Sequence, residues 1–332
     1  MLNQHNNDIL SNSFHSNVLS LIGNTPIVEL THLDTGCCRL FAKLELNNPS
    51  GSIKDRIALS MIETAEKQGL LKAGDTIVEA TAGNTGLGLA LVASQKGYPL
   101  IIVMPDKMSM EKEYNLRAMG AEVVRTRSDV IKGHPEYYQD LAARIALDKG
   151  AFYIDQFSNP ANVQAHIETT GPEIWSQMSG KVDAFVCGVG SGGTISGIGG
   201  YLKSKNGEVK VVLADPEGSI LAPLHNTGHA PEAGSWFVEG IGEDFIPDIC
   251  DMSLIDVAYA IPDKDSLLTA RELLLKEGIM GGSSSGTLVK AALNYCQQQT
   301  RPQSVVTLIP DTGNRYLSKM YNDEWMQQNG FL

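Results

Sequence analysis

Short apolar runs rich in β-branched residues alternate with longer amphipathic segments along most of the chain. Successive runs begin roughly 20–30 residues apart, the spacing that parallel strands joined by helices require. The pattern therefore predicts an α/β fold with parallel-rich sheets. The predicted strands are 76–80, 100–104, 122–125, 152–154, 183–188, 210–214 and 305–309. The predicted helices are one that Lys54 opens and that is amphipathic over 57–67, followed by 87–96, 109–119, 137–146 and 266–277.

The alternation of runs is interrupted once, at Gln156-Phe-Ser-Asn-Pro-Ala-Asn162. One domain usually has about 100–200 residues, so a chain of 332 residues is long enough for two domains. The interruption therefore predicts two wound α/β lobes that meet near residues 150–165.

Composition narrows the class of protein. Apolar residues make up 42% of the chain and charged residues 19%, as in a folded globular protein. A net charge of −12 without any Lys/Arg tract argues against nucleic acid and anionic membranes as partners. No apolar run approaches the ~18 residues of a membrane helix, and residues 1–17 lack a signal-peptide pattern, so we expect a cytoplasmic protein. The five cysteines show no C-x-x-C spacing, and neither disulfides nor a metal site are predicted.

The densest glycine cluster, Gly188-Val-Gly-Ser-Gly-Gly-Thr194, follows an apolar strand and precedes a helical stretch. Glycines allow backbone N–H groups to approach an anion closely, and the helix end adds a favourable dipole, so the loop predicts a phosphate site. Gly188, Gly190 and Gly193 also satisfy G-x-G-x-x-G, and Asp215 ends the next strand. Those residues alone would fit an NAD-dependent dehydrogenase, which is the alternative from a different class.

Two loops in the first half of the chain carry further candidate chemistry. Thr81-Ala-Gly-Asn-Thr-Gly86 lies between a strand and a helix, where its hydroxyls and backbone amides could hold a carboxylate. Lys54 opens a helix, and the positive helix end would lower the pKa of its ammonium group. A lysine with a lowered pKa is what Schiff-base chemistry with an aldehyde cofactor requires.

Four loop motifs, taken in order, resemble those of the fold-type II pyridoxal-phosphate enzymes, which share a tryptophan synthase β-like fold. Within that class they resemble the cysteine synthase and cystathionine β-synthase branch, and the likeness runs from Leu21 to Ser318. The motifs are Ser-Ile-Lys-Asp-Arg at 52–56, Thr-Ala-Gly-Asn-Thr-Gly at 81–86, Gly-Ser-Gly-Gly-Thr at 190–194 and Gly-Gly-Ser-Ser-Ser-Gly at 281–286.

Other segments resemble individual members of this branch. Residues 215–221 and 239–247 are similar to cystathionine β-synthases, whereas 156–162 and 169–175 are similar to cysteine synthases. The loop 81–86 together with residues 215–220 resembles bacterial O-acetylserine-dependent cystathionine β-synthases, the group to which the whole sequence looks most similar.

The resemblance implies a role for each residue that matches a motif. Lys54 would form the Schiff base with pyridoxal phosphate and then move protons. Asn84 would hydrogen-bond the hydroxyl of the cofactor ring, and Ser283 would face the ring nitrogen. The residues implied at the cofactor phosphate are Gly190, Ser191, Gly192, Gly193 and Thr194, and those implied at the amino-acid substrate are Thr81, Ala82, Thr85, Gln156 and the loop of Gly240.

Two positions depart from the family pattern. Ala82 stands where the family usually has Ser, which removes one hydroxyl donor beside the substrate carboxylate. Glu243 stands where the animal cystathionine β-synthases carry Tyr, and its carboxylate could attract the ammonium group of homocysteine.

The activity implied is a β-replacement in which serine or O-acetylserine reacts with homocysteine to give cystathionine. The alternative within the family is a cysteine synthase that uses sulfide, and the leaving group stays open. The resemblance also implies a homodimer and a possible partner in the C-terminal peptide of serine acetyltransferase. We expect a smaller N-terminal α/β domain over 46–155, a larger one formed by 18–45 with 156–332, and a polar arm over 1–17.

Overall fold

Two sheets of mainly parallel strands, covered by helices, form the framework of the chain. The structure is a computed structural model that describes residues 14–81, 83–106, 108, 110–131 and 133–332. Most of the predicted arm over 1–17 therefore lies outside the described residues. The strands are β1 (Ile27–Glu29), β2 (Arg39–Leu44), β3 (Ile77–Ala80), β4 (Leu100–Pro105), β5 (Glu122–Thr126), β6 (Phe152–Tyr153), β7 (Ala184–Cys187), β8 (Lys210–Pro216), β9 (Val257–Ile261) and β10 (Ser304–Ile309).

The helices cross over between successive strands or cover the sheets. They are α1 (Lys54–Lys67), α2 (Asn84–Lys96), α3 (Met110–Ala118), α4 (Tyr138–Lys149), α5 (Pro160–Ala165), α6 (Gly171–Gln177), α7 (Gly193–Lys205), α8 (Leu221–Thr227), α9 (Asp263–Glu277), α10 (Ser283–Gln297) and α11 (Asp323–Gln328). Within the described part of the chain, no helix is long and apolar enough to span a bilayer.

Each sheet has its own apolar core. The six-stranded sheet has the order β1-β2-β10-β7-β8-β9, and β1 alone runs antiparallel to its neighbour. The four-stranded sheet has the order β5-β4-β3-β6, with every pair parallel. Both β3 and β4 are buried along their whole length, as expected of parallel strands covered on both faces. The predicted α/β fold with parallel-rich sheets is confirmed.

Some elements begin elsewhere than predicted or were missed. Lys54 begins α1, as predicted, whereas the helices predicted to begin at 87 and 266 begin at Asn84 and Asp263, each three residues earlier. The apolar pattern did not predict β2, because Arg39 and Lys43 interrupt it. The short β1 and the edge strand β9 were not predicted either. The predicted domain boundaries stay a prediction.

A buried cluster of charges joins β2 to α1 and α6. Arg56 on α1 donates to both oxygens of Glu45 at 2.7 and 2.8 Å and to both oxygens of Glu173 at 2.7 Å. Lys43, which is 0% exposed, donates at 2.6 Å to Glu173 and to the carbonyl oxygen of Thr25. Two cations thus face two carboxylates, so the buried cluster is neutral, which is the condition for burying charges at tolerable cost.

The first prediction concerns this cluster. The substitution Glu173→Gln removes one carboxylate and leaves the buried Lys43 and Arg56 with excess positive charge. We expect the free energy of unfolding, measured by chemical denaturation at pH 7, to fall by about 3 kcal/mol, because breaking a buried ion pair leaves an uncompensated charge.

The matched control is Asp129→Asn. Asp129 pairs with Arg127 at 2.8 Å, but both side chains are exposed, so the loss should stay below about 1 kcal/mol. Equal losses in the two variants would contradict a stabilising role for the buried cluster.

Candidate active site

The three loops singled out in the sequence meet at one cavity of about 970 Å³. Its wall contains residues from both sheets and from the loops that follow their strands. Ala82 lies outside the described residues, and Gly193 is the first residue of α7. The predicted site residues that the cavity wall brings together are Lys54, Thr81, Asn84, Thr85, Gln156, Gly190, Ser191, Gly192, Thr194 and Gly240.

Lys54 begins α1 and reaches into the cavity. Its Nζ donates to the Oγ of Ser191 at 3.4 Å. Burial of the ammonium group lowers the pKa of Lys54 to about 8, and the carboxyl group of Glu243 partly opposes this effect. The adjacent helix α2 packs closely on this point, because a Cβ at Gly88 would lie 2.9 Å from the carbonyl oxygen of Lys54. The backbone of Lys54 therefore has a fixed place, and a substantial fraction of its amine is neutral near pH 8.

The glycine-rich loop turns tightly between β7 and α7. Gly192 has φ +88°, a left-handed conformation that favours glycine. A Cβ at Gly190 would lie 2.5 Å from the carbonyl oxygen of Gly240, and one at Gly193 only 2.0 Å from Oδ1 of Asn162. Larger residues are excluded, and the loop ends at the N-terminus of a helix of 13 residues. Such a terminus favours an anion.

Thr194 lies beside a buried histidine. Its Oγ1 is 3.2 Å from Nε2 of His166, whose Nδ1 is 2.9 Å from Oγ1 of Thr170. Burial lowers the pKa of His166 well below its usual value, so the ring is neutral. The histidine thus contributes hydrogen bonds and no positive charge to the loop.

Asn84, the first residue of α2, is held by the C-terminal part of the chain. Its Nδ2 donates to Asp311 at 2.9 Å, and its Oδ1 accepts a hydrogen bond from Arg315. Ser283 begins α10, and its Oγ accepts a hydrogen bond from the backbone N–H of Glu239 at 2.9 Å. Ser284, the next residue, forms part of the cavity wall. The roles predicted for Asn84 and Ser283 stay predictions.

A chain of hydrogen bonds connects the loop 81–86 to the glycine-rich loop. Thr85 donates from Oγ1 to Oε1 of Gln156 at 2.7 Å. Asn162 donates from Nδ2 both to the carbonyl oxygen of Gln156 at 2.8 Å and to Oγ of Ser191 at 2.9 Å. Since Ser191 also accepts from Lys54, the chain extends to the lysine. The side chains of the two loops are therefore positioned together.

Acidic side chains lie at the mouth and in the wall of the cavity. Glu239 accepts at 2.6 Å from both Lys112 and Lys319. Burial opposes its ionisation, but these two ammonium groups outweigh burial and lower its pKa. Glu243 is half-buried in the cavity wall, where burial and then the charge of Asp244 raise its pKa to about 8.

Asp215 is placed unfavourably for the dinucleotide alternative. The residue is 0% exposed, and its Oδ2 accepts a hydrogen bond from the backbone N–H of Ala222 at 2.8 Å. Burial raises its pKa to about 6. Its carboxyl group therefore faces the start of α8, where a ribose hydroxyl has no access.

Several residues that contact the predicted site residues were not themselves predicted. Asn162 and Glu239 lie within segments that resemble the family, but the sequence indicated no role for either. Arg315 is 231 positions from its partner Asn84, and no local pattern connects the two. Glu79 offered a signal, because it is an acid within the otherwise apolar strand Ile-Val-Glu-Ala.

Comparison with known proteins agrees with the resemblance of the loop motifs to pyridoxal-phosphate enzymes. A family model described as pyridoxal-phosphate dependent enzyme matches residues 18–311. Proteins named cystathionine beta-synthase are 43% identical in Apis mellifera and 45% identical in Rattus norvegicus, each over 95% of this chain. The matches cover 63% and 57% of those relatives, so the chain spans less than two thirds of their length.

Two solved structures resemble the chain over their entire length. A hydrogen sulfide-producing enzyme from Fusobacterium nucleatum is 41% identical, with a TM-score of 0.83 over 92% of this chain. An O-ureido-L-serine synthase is 35% identical, with a TM-score of 0.87 over 95% of this chain. In both cases the match covers 100% of the other chain.

Proposed function

The chain belongs to the family of pyridoxal-phosphate dependent enzymes, and from that premise we propose that it catalyses β-replacement on serine or O-acetylserine, with homocysteine as the thiol and cystathionine as the product. The observation that carries this proposal is the buried amine of Lys54, with a pKa near 8, in one cavity with the loops for phosphate and carboxylate.

The residues present fit pyridoxal phosphate. Lys54 offers an amine that burial partly deprotonates, the form that bonds to an aldehyde. Gly190, Gly192 and Gly193 lie where any Cβ would clash, and they lead into the N-terminus of α7, which suits a phosphate group. Because Oγ of Ser283 accepts from the N–H of Glu239, its own hydrogen can be donated to an unprotonated ring nitrogen.

When bound, the cofactor supplies an electron sink for the bond changes at Cα and Cβ of the substrate. The protein residues supply orientation and proton transfer. We propose that Thr81, Thr85 and Gln156 hold the substrate carboxylate at the start of α2. Lys54 takes the proton from Cα and later returns it, which its pKa near the working pH favours.

The proposed reaction replaces the oxygen substituent at Cβ of the substrate by sulfur. The Cβ–O bond of serine or O-acetylserine breaks, and water or acetate leaves. The Cβ–S bond to the thiol forms, while the thiol proton leaves with the departing group or passes to solvent. Relatives named cystathionine beta-synthase support homocysteine as the thiol. The similarity to a hydrogen sulfide-producing enzyme makes sulfide the second candidate for the nucleophile.

The main test combines spectra with product analysis. Purified protein loaded with pyridoxal phosphate should change its visible absorption when O-acetylserine or serine is added and regain the first spectrum when homocysteine follows. Mass spectrometry should then identify cystathionine, with a kcat/KM for homocysteine above that for sulfide. Cysteine as the favoured product would select the cysteine synthase alternative, and no product with either thiol would exclude β-replacement.

Lys54→Ala should lower kcat by at least about 10³-fold, because the base that moves the Cα proton is lost. Lys67→Ala, at the exposed end of the same helix, is the matched control and should keep the wild-type rate. A Lys54 variant with more than a tenth of the wild-type rate would refute its catalytic role.

Glu243 bears on the choice of thiol. We propose that its carboxyl group, whose pKa is about 8, ionises when it receives the ammonium group of homocysteine, a group that sulfide lacks. Glu243→Gln should raise the KM for homocysteine about tenfold, the cost of one hydrogen bond between charged groups, and leave the KM for sulfide within about twofold. Glu208→Gln, which changes an exposed acid that is not among the residues of the cavity wall, should change neither KM. Equal changes for both thiols would contradict this role.

We also propose a homodimer that binds the C-terminal peptide of serine acetyltransferase, and a cytoplasmic location. The support is the family resemblance. Light scattering should give twice the mass of one chain, and a titration of the peptide should perturb the visible absorption of the bound cofactor. A monomeric mass would remove the first proposal, and an unchanged spectrum at millimolar peptide the second.

A further inference from the structure

Glu79 is a buried acid that the proposed mechanism does not use. It lies in β3, two residues before Thr81, with only 1% of its surface exposed. One carboxyl oxygen, Oε2, has no hydrogen-bond partner among the described residues. An unpartnered polar atom in the interior is costly, so its presence so near a functional loop calls for an explanation.

The other oxygen contacts the proposed carboxylate site from behind. Oε1 accepts from Nε2 of Gln156 at 3.4 Å, a long hydrogen bond. The backbone N–H groups of Asp155 and Gln156 also stabilise the ionised form of Glu79. Gln156 in turn accepts from Thr85 through Oε1 at 2.7 Å. Gln156 and Thr85 lie in the cavity wall, so Glu79 lies one layer behind them.

We propose that Glu79 is a positioning residue for the amino-acid substrate, acting as a neutral carboxylic acid that directs Nε2 of Gln156 toward itself and leaves Oε1 for Thr85. The proposal rests on the function proposed above, which places the substrate carboxylate at Gln156 and Thr85. The hydrogen bond from Nε2 of Gln156 to Glu79 is long and therefore weak. The amide can break it at little cost and donate to the carboxylate of an arriving substrate instead.

The charge state of Glu79 follows from its surroundings. Burial, and then the charge of Asp155, raise its pKa to about 8, so the acid is neutral at pH 7. The charged or titratable groups that face it are Lys54 from α1, Tyr153 from β6 and Asp155 from the following turn. Above pH 8 the ionised group would repel the substrate carboxylate and bind the Gln156 amide more tightly. Substrate affinity should therefore fall as pH rises through 8.

The experiment measures the binding of O-acetylserine without any thiol, from the change in visible absorption of the loaded enzyme. Wild type and Glu79→Gln are compared at pH 7 and pH 9. The ammonium group of the substrate titrates alike in the two proteins, so its effect cancels in the ratio of wild-type to variant Kd. We expect the ratio of wild-type to variant Kd to rise about fivefold between pH 7 and pH 9.

A second variant separates positioning from charge. Glu79→Ala should raise the Kd about tenfold at pH 7, whereas Glu79→Gln, which keeps the shape of the neutral acid, should raise it less than about threefold. The matched control is Asp215→Asn, which removes another buried acid with one unpartnered oxygen, in β8 of the other sheet. Its Kd ratio to wild type should not change with pH.

Three results would overturn the inference. The first is a ratio of wild-type to Glu79→Gln Kd that does not change with pH. The second is a loss of affinity at pH 7 that is as large in Glu79→Gln as in Glu79→Ala. In both cases the wild type still binds the amino acid, so the proposed function stands. The third is a wild type that shows no spectral response to O-acetylserine or serine at either pH, which would overturn the proposed function together with the role of Glu79.

Discussion

The position of Lys54 depends on a largely buried cluster of charges. Arg56 lies two residues after Lys54 on the same helix, and its guanidinium group is held by Glu45 and Glu173 at 2.7–2.8 Å. Glu45 follows β2 of the six-stranded sheet, and Glu173 belongs to α6. The first turn of α1 is thereby attached to the larger sheet, while the rest of the helix packs against α2 beside the smaller one. The bidentate geometry of arginine is well suited to this fixed attachment.

Burial brings the pKa values of the titratable groups around Lys54 closer together. The pKa of Lys54 falls to about 8, while the pKa values of Glu79 and Glu243 rise to about 8. The cause is the same for all three, because a low-dielectric environment disfavours the charged form of either sign. Near neutral pH the interior of the site therefore carries less charge than its residue types suggest. An environment of this kind suits a reaction in which protons move between substrate and protein.

Local patterns in the sequence were sufficient for some features and not for others. The glycine-rich loop and Lys54 could be identified because glycine spacing, strand-to-helix turns and a helix start are local properties. The contacts of Asn84 with Arg315, and of Ser191 with Asn162, connect distant segments and needed the fold. Strand β2 also needed the fold, because a lysine such as Lys43 normally indicates a surface position. In the structure Lys43 is fully buried and pairs with Glu173. Asp215 shows the converse, since a well-spaced motif residue turned out to be buried against a helix start.

The partly exposed charges at the mouth of the cavity explain how an acidic chain would admit the proposed amino-acid substrate, which carries a carboxylate. The net charge of −12 repels anions at long range, and screening confines that effect to about 10 Å at ordinary ionic strength. At the mouth, Lys112 and Lys319 share the single carboxylate of Glu239, so this group of three carries one excess positive charge. Lys112 comes from α3, beside the smaller sheet, and Lys319 from the segment before α11, so the positive charge spans the entrance. Glu243 lies in the wall of the same cavity, where its carboxyl group can ionise beside an ammonium group. On the function proposed above, the charges at the mouth would attract the carboxylate of an amino acid, and Glu243 would pair with an amine within the cavity.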